Sequence, residues 1–141
     1  MQNIKKMGYI YSFEKLEVWN NARDLAKAIY ILSYKFSNTE KYGLASQIQR
    51  AAVSVSSNIA EGSGRISPKE KKRFIEIAYG SLMETLSQLF IAKDLDYISD
   101  DDIAEIRPLI EHISSQLSVW RNNIKDEEDK NSTPKTLETK R

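Results

Sequence analysis

Apolar side chains recur every three or four residues along most of this chain, and no stretch alternates in the way a strand demands. That period predicts helices. From Phe13 to Phe36 the residues Leu16, Trp19, Ala22, Ala26, Ile29, Leu32 and Phe36 keep to it, with Leu25 and Tyr30 on the flanks. Ser12 stands where a helix cap belongs. Ser37-Asn38-Thr39 breaks the pattern, and Asn38 or Thr39 is placed to cap the next helix. That second helix reads over about 40–61, with Leu44, Ile48, Ala51, Ala52, Val55 and Ile59 as its stripe. Gly62-Ser63-Gly64 then supplies residues that tolerate positive φ, a common way to end a helix.

Ser67-Pro68-Lys69-Glu70 is the sharpest local signal: a serine cap, a proline whose missing N–H costs nothing at the first turn, and a glutamate three residues after the cap. It opens a third helix over about 68–96. Phe74, Ala78, Leu82, Thr85, Leu86, Leu89 and Ala92 form one stripe there, while Ile77, Ile91 and Leu95 lie well round the cylinder. A helix apolar on two sides needs two sets of neighbours, which points to a central place or to self-association. Ser99 with Asp100, Asp101 and Asp102 opens a fourth helix over about 100–125, the acids sitting where the helix dipole favours them. Its stripe is Ile103, Ile106, Ile110, Ile113, Leu117, Trp120 and Ile124, and Pro108 should kink it or split off its first turns. The chain therefore reads as all-α: an antiparallel up-down-up-down four-helix bundle with helices of roughly 33–42 Å. Residues 1–12 form an N-terminal arm whose Tyr9, Ile10 and Tyr11 are expected to pack on the body. The bundle domain spans 13–125. Residues 126–141 (DEEDKNSTPKTLETKR) read as a polar, mobile tail.

Composition narrows the chemistry. With no cysteine and a single histidine, His112, the chain has no thiol nucleophile, no disulfide and no multi-histidine metal site. A net charge of +1 lacks the basic excess of a general nucleic-acid binder, so any such binding must be local. The amino-terminal run MQNIKKMGYIYS is too polar for a signal peptide, and no stretch nears the ~20 apolar residues of a membrane span. The expectation is a cytoplasmic protein with no membrane partner and no cofactor.

One stretch is specific enough to carry a resemblance. QIQRAAVSVSSNIAEGSGR (47–65), together with FIEIAYGSLMETLSQL after it, resembles the 23S rRNA-intervening-sequence proteins, also called four-helix bundle proteins. FEKLEVWNNARDLAKAIY and KYGLASQI are similar to the same family, so the likeness covers about residues 13–125. It implies a left-handed up-down bundle, assembly into a ring-like homopentamer, a bacterial source and no catalytic activity. A related group, the accessory proteins of diversity-generating retroelements, forms basic pentameric barrels that bind nucleic acid. RNA or DNA thereby becomes a partner to test.

Two constellations hold the candidate chemistry. Arg50, Ser54, Ser57 and Glu61 step by four, three and four along one helical face, with Gln47 and Asn58 beside it. Arg50 and Glu61 are three turns apart, so each needs a partner elsewhere. Glu84 on the third helix is one candidate partner, and Ser81 on the same helix is grouped with this polar stripe. The structural reading is a polar contact that sets register at a helix or subunit interface; the functional reading is a polar pocket or a ring facing a pore. Glu61 with Glu84 as a carboxylate pair for acid–base or metal chemistry is the enzymatic alternative, though the Glu-x-x-His of bundle metal sites is missing. The second constellation is basic: Arg65, Lys69, Lys71, Lys72 and Arg73 crowd the start of the third helix against Glu70 alone. With the glycines and free N–H groups there, they form a candidate phosphate site. The plain alternative is a solvated helix end. Gly80, Ser81 and Ala78 are expected to allow close helix approach. Exposed aromatics for base stacking are not evident from the pattern.

Overall fold

The structure, a computed structural model, describes residues 8–125. Four α-helices and no strands occur among them: α1 (Glu17–Ser33), α2 (Leu44–Ser63), α3 (Pro68–Asp94) and α4 (Asp100–Asn123). Two 3-10 turns, Ser12–Lys15 and Asn38–Glu40, precede α1 and α2. The expectations of a mobile tail over 126–141 and of an arm over the first seven residues lie outside the described residues. None of the described helices is long and apolar enough to cross a membrane.

Each helix packs on its neighbours in the chain, and α1 also packs on α4. The cross-helix contacts run in opposite order along three of these pairs. Along α2 and α3, Gln47 meets Gln88, Ser54 meets Ser81, and Gly62 abuts Phe74. Between α1 and α4, Asn21 bonds Gln116 at 2.9 Å, while Lys35, just past α1, pairs with Asp102. Arg121 with Glu76 and Lys93 with Asp100 join α3 to α4. One continuous core fills the centre, with Leu25, Ile29, Ile48, Val55, Ile59, Ile75, Leu82, Leu89, Ile110, Ile113 and Leu117 fully buried.

Several local expectations are corrected. The first element is not one helix from 13 to 36: it breaks at Leu16, whose backbone is extended, and ends at Ser33. Ser12 caps nothing; its Oγ bonds Ser63 Oγ at 2.6 Å, tying the chain's start to the end of α2. Tyr9, Ile10 and Tyr11 stay exposed, the two tyrosines packing edge to face on each other. Neither Asn38 nor Thr39 caps α2. Glu40 does so from four residues upstream, its Oε1 accepting the Leu44 N–H at 2.9 Å. The exit of α2 uses no positive φ, for Gly64 has φ −88. The need for glycine there is steric: a Cβ on buried Gly62 would stand 3.1 Å from Phe74 Cβ. Positive φ ends α3 instead, at Asp96 (φ 64).

Pro108 does not split α4, which is helical from Asp100 to Asn123. Both Pro108 and Ala104, whose carbonyl loses its donor, are exposed, so water can satisfy the freed oxygen. The two serine caps are as the sequence pattern has them. Ser67 Oγ accepts from the Glu70 N–H, and Ser99 with Asp102 forms a reciprocal capping box.

Candidate polar seam and basic helix start

Small side chains let α2 and α3 approach closely, and a polar seam forms along their contact. Ser54 Oγ and buried Ser81 Oγ lie 2.8 Å apart. Asn58 Nδ2 donates to the Ser54 carbonyl and to Ser54 Oγ, at 2.8 and 2.9 Å. Thr85, fully buried, returns its hydroxyl to the Ser81 carbonyl at 2.9 Å. One turn on, the Gln88 amide donates to Glu84 at 3.2 Å and to Gln47 at 3.4 Å. Its own oxygen, buried, accepts no hydrogen bond. Ser54, Asn58 and Ser81 thus satisfy one another within a single chain, which is the structural reading of the stripe.

The rest of the stripe does not join them. Arg50, Ser57 and Glu61 are exposed and line grooves on the other side of α2. Ser57 and Glu61 border a hollow with Phe13, Ala60, Gly64 and Arg65. Glu61 finds its partner locally, in an ion pair with Arg65. Glu84 lies ten residues along α3 from Phe74, the residue beside Gly62, or about 15 Å of helix axis. Glu61 and Glu84 therefore do not form a carboxylate pair within the chain. Among the described residues no three His, Cys, Asp or Glu side chains gather in a metal-holding cluster.

The basic cluster is assembled but mostly engaged. Arg65 pairs with Glu61 and lies 4.7 Å from the centre of the Phe74 ring, which Arg73 approaches at 5.4 Å. Arg73 also reaches Glu70 at 3.5 Å. Lys71 Nζ donates to the carbonyls of Gly62 and Ser63, at 3.4 and 3.1 Å. Its charge thereby complements the negative end of α2. Lys69 is exposed, and Lys72 is half-buried. Asp100 and Asp102 take their lysines, Lys93 and Lys35, at the far end of the fold.

Sequence reasoning missed other residues. Gln88 carried no signal beyond its place seven residues after Ser81. Gly80, expected to allow close approach, faces open space: a Cβ there would meet nothing within 4 Å. Exposed aromatics do exist, contrary to expectation, with Tyr34 75% and Tyr42 89% exposed. Both lie at helix ends, where periodicity no longer separates inside from outside. Glu40 was also missed as a site of unusual charge. Its carboxylate accepts from the Leu44 N–H and from the Tyr97 hydroxyl, and these hydrogen bonds hold it below its ordinary pKa. The same bond raises Tyr97.

Residues 14–119 match the model of the 23S rRNA-intervening sequence protein family. No curated protein sequence matches the chain significantly.

Proposed function

The chain belongs to the 23S rRNA-intervening sequence protein family, and from that membership we propose that it acts without catalysis, as a homo-oligomeric binding or scaffold module in the cytoplasm. Its subunit is an antiparallel up-down-up-down bundle; the opposed order of contacts along the α2–α3, α3–α4 and α1–α4 pairs supports that topology. The left hand and the ring of five are what the resemblance implies.

One observation carries the assembly. α3 keeps Ile77, Ile91 and Leu95 exposed on a face that no other part of the described chain covers, and Val53 of α2 is exposed as well. Gly80, on the same helix, faces open space. Light scattering across micromolar concentrations tests this. The wild type is expected to be a stable oligomer, with Ile77→Asp/Ile91→Asp falling to a folded monomer. A monomeric wild type would overturn the proposal.

A second reading has its own observation. Arg65 and Arg73 flank one exposed helix start, each paired with a single glutamate, and Lys69 stands exposed beside them. That basic patch, repeated around a ring, would attract RNA or DNA phosphate. The measurement is electrophoretic mobility at two salt concentrations with Lys69→Gln/Arg73→Gln as the comparison. A shift that is absent, or indifferent to salt, would dismiss it.

A further inference from the structure

The outer groove between the end of α1 and the start of α2 is built unlike the rest of the surface. Its volume is about 680 Å³, and Tyr30, Tyr34, Lys41, Tyr42, Gln49 and Arg50 line it. Folding gains little by leaving Tyr34 and Tyr42 in water at 75% and 89% exposure. Lys41 Nζ lies 5.5 Å from the centre of the Tyr42 ring. Gln49 is fixed by its bond to Ser33 Oγ at 2.8 Å, which places an amide in the groove wall. No acidic side chain lines the groove.

Arg50 is the telling residue. Elsewhere Arg65, Arg73, Arg107 and Arg121 each pair with a glutamate. Arg23 bonds Asn20 and lies over Trp19. Among the described residues Arg50 is the one arginine with no hydrogen bond, ion pair or ring contact. Its position commits a guanidinium to a groove that holds aromatic faces, an amide and a lysine, and no counter-charge.

We propose that this groove binds an unpaired nucleobase together with its phosphate. Tyr42 and Tyr34 offer ring faces on which any base stacks, because every base has a π-face. Arg50 offers the forked donors that fit a phosphate, with Lys41 as a second charge. The volume lies in the range of small-ligand sites. The site is separate from the basic start of α3 and does not depend on assembly through Ile77 and Ile91. The shared chemistry has two sources, a free mononucleotide or a single strand, and the experiment separates them.

The probe is a fluorescently labelled ten-nucleotide oligo(U) or oligo(A), monitored by anisotropy at two salt concentrations. Unlabelled AMP, inorganic phosphate and a duplex of equal length serve as competitors. Single strand is expected to bind, with duplex and inorganic phosphate competing poorly. Tyr42→Ala, an exposed change whose fold circular dichroism can check, should weaken binding roughly tenfold. Arg50→Gln should weaken it several-fold and lower the salt slope by about one. Arg107→Gln, on α4 and outside both basic sites, should leave both unchanged. Competition by AMP as strong as by unlabelled strand assigns the groove to a mononucleotide; strong competition by strand alone assigns it to a single strand. The proposal is overturned if no probe binds, if inorganic phosphate competes as well as AMP, or if Tyr42→Ala and Arg50→Gln bind as wild type does.

Discussion

The hydroxyls of Ser54 and Ser81 meet 2.8 Å apart across the α2–α3 contact, where Asn58 also reaches Ser54. Such a bond exists only at one register, so it selects the alignment of the two helices more than it strengthens them. Ser81→Ala should cost about 1 kcal/mol, with Ser54→Ala coupled to it by a similar amount in a double-mutant cycle. Ser81→Leu should cost more, about 1–3 kcal/mol, because the close approach leaves no room. Urea denaturation of these variants beside the wild type checks both statements; a cycle with no coupling would show that the serines merely pack.

Two glycines make opposite predictions. At Gly62 a methyl group would press on Phe74, so Gly62→Ala should destabilise by about 1 kcal/mol although alanine favours helix. At Gly80 a methyl group meets nothing, and Gly80→Ala should stabilise the subunit by roughly 0.5–1 kcal/mol. Thermal melting of the two variants side by side is the measurement, and equal signs would be inconsistent with the packing described.

Acid and alkali should loosen the same clip for opposite reasons. Glu40 has a lowered pKa, chiefly from the Leu44 N–H and then from Tyr97. Its contribution is present above the ordinary carboxylate range and lost as pH falls through its folded value. Tyr97 is raised by Glu40, so its share is present below the ordinary phenol range and lost as pH rises through the folded value. Stability against urea, measured from acid to alkali, should therefore drop at both ends. Glu40→Gln should flatten the Tyr97 part of the alkaline loss, and a Tyr97 titration that stays raised in that variant would contradict the assignment. Asp102 is lowered too, mainly by the Ser99 N–H and then by Lys35, and adds to the acid limb alone.

Pro108 sits within α4 on the exposed side and leaves one carbonyl without its helical donor. Pro108→Ala should restore that bond and raise stability by about 1–3 kcal/mol, read from the urea midpoint at unchanged slope.

How far the sequence discloses the fold depends on how many residues compete for the inside. In α4 the isoleucines fall on one face, and Ile103, Ile106, Ile110, Ile113 and Leu117 are all buried as the stripe predicts. In α1 and α3 adjacent apolar residues compete: Ala22 and Ile29, and Ala78, Leu82, Thr85, Leu89 and Ala92, go inside as expected, but the edge of each stripe shifts. Val18 and Leu25 go inside while Trp19 stays half-buried beneath Arg23. Ile75 is buried, and Phe74 lies between two arginines at the surface. Ser81 and Gln88 are buried because partners on α2 reach them, which no single-helix period reveals. The candidate site divides in the same way. The stripe from Arg50 to Glu61 is real as a face, but the crest of α2 sends Ser54 and Asn58 toward α3 and leaves Arg50 and Ser57 on the outer side.

The tight α2–α3 approach sets that pair apart from the start of α4. Gly62, Ser54 and Ser81 bring α2 and α3 together across a connection of only a few residues, so this pair has little loop entropy to overcome. Besides its capping box and buried Ile103, the first turn of α4 is joined to the other helices by the Lys35–Asp102 and Lys93–Asp100 ion pairs, which at the surface are worth little in water. The α2–α3 pair is then the natural folding nucleus and is expected to be the last unit to exchange its amide hydrogens.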